Sequence, residues 1–452
     1  MTAARRNNPE PSTIIVGLGE TGLSCARFFD RAGEPFAVAD NRGEPPGLAA
    51  FRARWPEVPV RLGAFDARRF GRATQLVVSP GVSTREPAIA AAVNAGVECI
   101  GDIELFARAV DAPVIAVTGS NGKSTTTSMV AALLRAAGQR VRVGGNLGPP
   151  ALDLLEDGPE PPDYYVIELS SFQLETTFSL RTAASVVLNV SADHMDRYRS
   201  LAEYAAAKGR IYNDTAVAVV NRDDPGAARL AAGNAGALGF TAGEPGEADF
   251  GVIHRDGEAW LAHGQRPLLP ADALPLAGGH NRANALAALA LVAAVGGDPA
   301  AAAPALAEFD GLAHRTRLVA EIDGVRWYDD SKGTNVGATT AALEGMDEPV
   351  VLIAGGDAKD ADFAPLRAAV ERRARAVVLI GRDAPRLASA LAGGVPIERA
   401  DDLDHAVERA ASLARPGDAV LLSPACASFD MFRDYHERGE AFVAAVQRRG
   451  AA

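Results

Sequence analysis

A short apolar run, Pro113 to Val117, leads straight into Thr118-Gly119-Ser120-Asn121-Gly122-Lys123-Ser124-Thr125. Residues of these types at this spacing hold phosphate. The backbone N–H groups of a glycine-rich turn at a helix N-terminus cradle phosphate oxygens, Lys123 reaches the terminal phosphates and the Ser124 hydroxyl holds Mg²⁺. ATP is the expected ligand. The general pattern has a glycine where this chain has Val117, so the loop is a shortened form, G-x-x-G-K-S.

A second glycine loop, Gly17-Leu18-Gly19-Glu20-Thr21-Gly22, lies between a strand (Thr13 to Val16) and a helix running to about Ala32, and Asp40 closes the next strand. This is the arrangement of a dinucleotide-binding unit. Its physical content is narrower: the glycines let backbone approach a pyrophosphate, which a nucleotide diphosphate carries whether or not nicotinamide is attached. Two glycine loops imply two phosphorylated ligands, and a nicotinamide site stands as the rival reading.

Other polar clusters follow apolar strands. Glu168-Leu169-Ser170-Ser171-Phe172-Gln173 ends one, and Asn189-Val190-Ser191-Ala192-Asp193-His194 ends another. In doubly wound sheets strand C-termini line the ligand crevice, so Glu168, Asp193 and His194 are expected to converge beside Ser124, with oxygen ligands suited to Mg²⁺. Taken singly, Glu168 reads equally well as a loop or capping carboxylate and His194 as a satisfied loop histidine. Lys208, on a helical stretch with nothing to mark it, reads as a solvated surface lysine. Further on, His314-Arg315, the run Asp329 to Asn335, the run Gly355 to Asp360 and the run Ser423 to Asp430 repeat the pattern. Each is explicable as a turn with helix caps, but their recurrence at strand ends points to a composite pocket.

The elements that must position these residues are alternating apolar strands and helical patterns, the mark of parallel sheets covered by helices. Strands are expected at Gln75 to Val78, Val97 to Ile100, Tyr164 to Leu169, Ala184 to Val190, Ala216 to Val220, Val325 to Tyr328, Val350 to Ala354, Ala376 to Ile380 and Ala419 to Leu422. A turn-rich stretch from Thr241 to Pro275 suits a few strands at a domain edge. The chain is therefore read as three α/β domains: N-terminal Rossmann-like (1–110), central P-loop ATPase-like with a mostly parallel sheet (111–312), and C-terminal Rossmann-like (313–452).

Composition supports an ordinary globular chain, with 48% hydrophobic and 23% charged residues. A formal charge of −12 without a basic tract argues against a nucleic-acid or anionic-membrane binder, so an anionic substrate needs a local basic pocket. Cys25, Cys99 and Cys426 are too few and scattered for a disulfide framework, which fits a reducing cytoplasm. The polar N-terminus, Met1 to Ser12, lacks a signal-peptide pattern. The most hydrophobic helical run, Ala285 to Val295, is too short to span a bilayer and reads as a buried helix, so no membrane insertion is expected.

Taken together, these motifs resemble the Mur ligases from Gly17 to Phe442. The phosphate loop and the His280-Asn281 stretch resemble that family and folylpolyglutamate synthetase in general. The Ser171-Phe172-Gln173 and Cys426-Ala427-Ser428 blocks resemble its D-glutamate-adding branch. The resemblance implies an ATP-dependent amide-forming ligase acting on UDP-N-acetylmuramoyl-L-alanine and D-glutamate, with two Mg²⁺ ions; a monomer is the expected state. It implies catalytic roles for Lys123, His194 and Lys208, the last carbamylated. ATP contacts fall to Gly119, Ser120, Asn121, Gly122, Lys123, Ser124, Thr125, Asn281, Asn284 and Arg315. The UDP-substrate falls to Gly19, Glu20, Thr21, Asp40, Arg42, Ser79, Gly81 and Asn146, glutamate to Lys332, Thr334, Lys359, Ser428 and Phe429, and metal to Ser124, Glu168, His194 and Lys208.

Against the family pattern, Gly333 stands where alanine is usual, Asp329 where asparagine is common and Tyr435 where phenylalanine is expected. Two rivals of other classes are an NAD-dependent oxidoreductase using Gly17 to Gly22 and a non-catalytic nucleotide-binding regulator. The phosphate loop Gly119 to Thr125 speaks against the oxidoreductase, and the joint presence of Lys123, Glu168, His194 and Lys208 against the regulator. Within the ligase class, L-glutamate or another amino acid is the alternative acceptor.

Overall fold

The computed structural model describes residues 12–450 apart from 157, 159 and 277. Nearly all of the polar N-terminus therefore lies outside the described residues. Three sheets form, as the strand and helix alternation requires. The first contains β1 (Thr13–Val16), β2 (Phe36–Asp40), β3 (Val60–Leu62), β4 (Gln75–Val78) and β5 (Glu98–Ile100) in the order β3-β2-β1-β4-β5, with every pairing parallel. The order reverses at β1, so the turn after it opens onto the crevice where such sheets take ligands.

The second sheet contains β6 (Val114–Thr118), β7 (Val141–Gly145), β8 (Tyr164–Glu168), β9 (Thr182–Val187), β10 (Thr215–Asn221), β11 (Leu238–Phe240), β12 (Phe250–Arg255), β13 (Glu258–His263) and β14 (Arg266–Pro270). Their order is β14-β13-β12-β11-β10-β9-β6-β8-β7. The turn-rich stretch supplies β12, β13 and β14, paired antiparallel at the edge. The third sheet contains β15 (Arg317–Ile322), β16 (Val325–Asp329), β17 (Val350–Gly355), β18 (Ala374–Ile380), β19 (Ile397–Arg399) and β20 (Ala419–Leu422) in the order β15-β16-β20-β17-β18-β19. Only β15 runs antiparallel there.

Packing in the third sheet shows why its strands read as continuous apolar runs. Val350, Leu352, Val377, Leu379 and Leu421 face one core. Val351, Ile353, Val378, Ile380, Val420 and Leu422 face another on the opposite side. Successive side chains point to opposite faces of a strand, so a sheet with helices on both sides needs apolar residues at every position.

By compactness the chain divides into two units. One comprises the chain up to Thr118 with Gly138–Val186 and Ala206–Ala218; the other comprises Gly119–Ala137, Val187–Ala205 and the chain from Val219 onward.

The strand expected to run to Val190 stops at Val187. Beyond it Asn189 leaves the ladder, because its backbone carbonyl accepts from Ser120 and its side chain is spent on Asn121. The expected buried helix is Gly279–Ala294, with Ala285 to Val292 fully buried. Among the described residues no helix is long and apolar enough to cross a membrane.

In the loop Gly17 to Gly22, a Cβ on Gly22 would lie 2.1 Å from the Gly17 carbonyl oxygen. That oxygen is backbone and cannot swing aside as a flexible side chain would, so Gly22→Ala should destabilise the protein by about 3 kcal/mol, the upper range for overpacking. Urea unfolding followed by circular dichroism checks this; an unchanged midpoint would refute it.

Candidate active site

The first unit carries the Gly17 loop and the Glu168 cluster. Asp40, at the end of β2, is 1% exposed. Its carboxylate accepts from the Leu18 N–H at 2.7 Å and from Arg42 through both backbone and guanidinium at 2.7–2.9 Å. Burial alone would raise this acid, but those bonds outweigh it and hold its pKa below the usual carboxylate range. Asp40 thus shapes the glycine loop and fixes Arg42 beside it. Ser79, after β4, donates to the Gly17 carbonyl at 3.2 Å. Gly19 caps the helix Glu20–Ala32 without a side-chain bond, which leaves first-turn N–H groups for an anion.

Parallel register puts Glu168 opposite Val117 on β6 and Gly145 on β7. Asn146 follows directly and donates its side-chain amide to Glu168 Oε1 at 2.6 Å. The other oxygen, Oε2, is buried with no hydrogen-bond partner among the described residues. A buried carboxylate oxygen left so is costly unless a cation or donor meets it, which favours the ligand reading of Glu168 over the capping one. The capping role belongs to Ser170, which forms a capping box with Gln173. Lys208, on the helix Leu201–Gly209, is 1% exposed. That corrects its reading as a solvated surface lysine, because an amine so placed must be paired or chemically altered.

The second unit carries the phosphate loop. Its backbone is braced by side chains from elsewhere: Asn189 exchanges two bonds with Asn121 (2.8 and 3.1 Å), and Ser120 Oγ meets the Ser191 N–H, the Ser191 carbonyl and the Tyr204 hydroxyl (2.9–3.2 Å). Lys123 Nζ rests on the carbonyls of Gly119 and Ser120, at 2.8 and 2.9 Å. Asn284, buried on the helix Gly279–Ala294, accepts from Thr126 and donates to Asn281, both at 3.3 Å, and its amide oxygen packs against Gly122. Arg315 Nη2 donates to Ser124 Oγ at 2.6 Å. Asn335 donates to Asn121 Oδ1 and Asp193 Oδ2 (3.1 and 3.2 Å) while capping the helix Val336–Glu344.

His194 sits at φ 57° after Asp193. Desolvation lowers its pKa from the ordinary value, and Lys123 and Lys359 add to that against the opposing pull of Asp193.

The polar runs after β16, β17 and β20 do come together. Ser423 Oγ donates to Asp330 Oδ2 (2.6 Å), the Ala425 N–H to the Gly333 carbonyl (2.8 Å), and Asp357 and Ala427 exchange backbone bonds (2.9 Å). Lys332 Nζ lies 4.0 Å over the Tyr435 ring and Lys359 Nζ 5.1 Å over the Phe429 ring, which is itself 63% exposed. Ser428 is buried, and Thr334 is half-buried beside Lys332. Two departures from the family pattern acquire physical reasons. A Cβ on Gly333 would lie 2.5 Å from both Asp330 Oδ2 and Ser423 Oγ, so the glycine clears their hydrogen bond. Tyr435 keeps the aromatic face over which Lys332 sits.

Among the described residues no group of three His, Cys, Asp or Glu side chains is placed to hold a metal. Sequence reasoning gave no role to Asn189, Tyr204 or Asn335. The placing of Asn189 and Asn335 in polar runs after strands was a signal for those two; nothing local marks Tyr204.

Comparison with known proteins decides the family. Residues 11–101 match the Mur ligase MurD-like N-terminal domain, 117–292 the Mur ligase middle domain and 314–426 the Mur ligase glutamate ligase domain. A relative from Nitrosococcus oceani, named UDP-N-acetylmuramoylalanine–D-glutamate ligase, is 55% identical over 438 residues, covering 96% of each chain. The chain belongs to the Mur ligase family. A Pseudomonas aeruginosa Mur ligase of the same name is 52% identical over 96% of this chain and 97% of its own. Among solved Mur ligases, the UDP-N-acetylmuramate-alanine ligase MurC of Thermotoga maritima superposes with a TM-score of 0.60 at 22% identity, covering 97% of this chain and 99% of that one. The MurF ligase of the same organism, in complex with ADP, gives 0.59 at 16% identity, covering 97% and 96%. These likenesses show the three-domain α/β Mur ligase fold.

The Ser171-Phe172-Gln173 block also reaches a buried acid. Gln173 Nε2 donates to Asp102 Oδ2 at 3.2 Å, and burial pushes the Asp102 carboxyl up to about 6 despite that bond. A folded-state pKa above the unfolded value of about 3.9 means the native state holds the proton more tightly. The stability it contributes is complete below about pH 4 and is lost as pH rises through about 6. Asp102→Asn should therefore gain stability relative to wild type between pH 5 and pH 7.5. Urea midpoints across that range check it; parallel curves would overturn it.

Proposed function

We propose that this chain is the ATP-dependent ligase that joins D-glutamate to UDP-N-acetylmuramoyl-L-alanine in peptidoglycan precursor synthesis. One observation carries the reading: a braced phosphate loop whose Ser124 is met by Arg315 stands in a chain that is 55% identical, over 96% of its length, to a D-glutamate ligase. An L-alanyl carboxylate oxygen attacks the γ-phosphorus of ATP and ADP leaves, giving an acyl phosphate. The D-glutamate amine then attacks the acyl carbon, the tetrahedral intermediate expels phosphate, and the nitrogen loses a proton to complete the amide.

In this reading residues 1–110 take the UDP moiety, with Gly19, Glu20, Thr21, Asp40, Arg42, Ser79 and Gly81 around it and Asn146 on the sugar-peptide part. Residues 111–312 take ATP through Gly119 to Thr125, Asn281 and Asn284, joined by Arg315. Residues 313–452 take glutamate through Lys332, Thr334, Lys359, Ser428 and Phe429. Lys123 exchanges its loop carbonyls for phosphate oxygens on binding, and with the loop N–H groups offsets the charge of the transferring phosphoryl group. His194 helps to place the incoming glutamate.

Mg²⁺, as two ions, supplies further charge neutralisation at the phosphates, and Ser124, Glu168, His194 and Lys208 are the residues assigned to it. The unpartnered Glu168 Oε2 fits that assignment. The depth at which Lys208 lies suits a carbamate, which turns a buried amine into an oxygen ligand. The chain works as a cytoplasmic monomer.

Phosphate release measured with ATP, Mg²⁺ and UDP-N-acetylmuramoyl-L-alanine should depend on D-glutamate and be weak with L-glutamate. Lys123→Ala and Lys208→Ala should each lower turnover by at least about 10²-fold, the scale for removing a group that stabilises transition-state charge. Near-normal release from Lys123→Ala, or equal rates with both enantiomers, would sink the reading.

A further inference from the structure

Arg315 stands between two residues whose backbones lie in the left-handed region, His314 at φ 62° and Thr316 at φ 47°. Neither is glycine, and a β-branched residue there is strained. Such a conformation persists only where the surroundings over-determine it. Here two adjacent aspartates hold it. His314 Nδ1 donates to Asp329 Oδ2 at 2.6 Å, while the Thr316 N–H and hydroxyl donate to Asp330 Oδ1 at 3.2 and 3.3 Å. Both acids are themselves pinned, Asp329 by the Ser331 N–H at 2.9 Å and Asp330 by Ser423 Oγ at 2.6 Å.

The His314–Asp329 pair is buried. On the helix Tyr435–Gly450, a Cβ on Gly439 would lie 2.1 Å from His314 Nδ1, so that glycine leaves the room the ring occupies. The outcome of this bracing is the direction of one side chain, Arg315, whose guanidinium meets Ser124 at 2.6 Å.

We propose that the His314–Asp329 pair is a positioning device that holds the strained turn and so aims Arg315 at the phosphate loop; the proposal rests on the ATP reading of that loop. The carboxylate at 329, where the family commonly has asparagine, keeps the acceptor on which the ring depends. Neither residue touches substrate in this assignment.

The test is a set of kinetic constants with ATP, the UDP-substrate and D-glutamate, together with ADP binding by calorimetry. Asp329→Ala should lower kcat/KM for ATP by about tenfold or more, as displaced positioning groups do, with KM for the other two substrates unchanged. Asp329→Asn, which keeps an acceptor for His314, should restore most of the loss. Gly439→Ala, which sets a methyl against the donating His314 Nδ1 while leaving both members of the pair in the chain, should reproduce it.

In an Arg315→Ala background neither substitution should lower ATP use further, because the device acts only through that arginine. Proportional losses for all three substrates, or undiminished losses in the Arg315→Ala background, would overturn the proposal. If Asp329→Ala does not fold, Gly439→Ala and its double variant carry the same decision. Wild-type protein that releases no phosphate would defeat the functional reading alone, and ADP affinity across the variants would still judge the clamp.

Discussion

A loop that receives phosphate has to leave its backbone N–H groups unspent, and a loop with unspent donors cannot hold its own shape. The rest of the candidate site answers that constraint. Gly119 to Lys123 is held from outside, by the Asn189 side chain on Asn121, by Ser191 and Tyr204 on Ser120, and by Asn284 against Gly122. Asn189 takes the N–H groups of Ser120 and Asn121, while the other braces take a side chain or a carbonyl of the loop. The early end of β9 follows from the same need, since Asn189 can serve the loop only after leaving the sheet.

The third sheet meets a related requirement with different means. Its strand ends carry Asp329, Asp330, Gly355, Gly356 and Ser423, and the hydrogen bonds among these runs weld three separate turns into one surface. Arg438, 1% exposed, donates to Ser331 and to the Cys426 carbonyl, which joins the last helix to two of those turns. A guanidinium has five donors in a fixed fork, so it can tie several carbonyl and hydroxyl acceptors at once where a lysine would hold fewer. Over this base Lys332 and Lys359 lie on the faces of Tyr435 and Phe429, their ammonium groups directed by aromatic rings.

Much of the fold was legible because it is encoded locally. Buried parallel strands must be apolar at every position, so β1, β4, β17 and β20 are apparent as runs and appear with the expected bounds or within a residue of them. The strands that escaped notice lie at or near sheet edges or are broken by polar or special residues. Arg317–Ile322 carries two charged residues, and Val141–Gly145 ends in two glycines. Half-buried strands of this kind satisfy no simple period and take their state from the neighbour they pair with. Glu168 and His194 were visible as polar residues after strands, whereas Lys208 was not. A lysine on a helix looks the same in sequence whether its amine is in water or sealed inside.

The sequence by itself determined the chemistry on offer: two glycine loops, a lysine and serine for phosphate, and carboxylates at strand ends, because glycine spacing and strand-to-helix junctions are local properties of the chain. Tertiary structure alone decided which of those groups are committed to ligand and which to scaffold. Asp40 was turned inward to shape its own loop, Ser120 was spent as a brace, Lys208 was buried, and one oxygen of Glu168 was left without a partner among the described residues. Burial and hydrogen-bond satisfaction depend on residues dozens to hundreds of positions away, as with Ser124 and Arg315, and no local pattern records them.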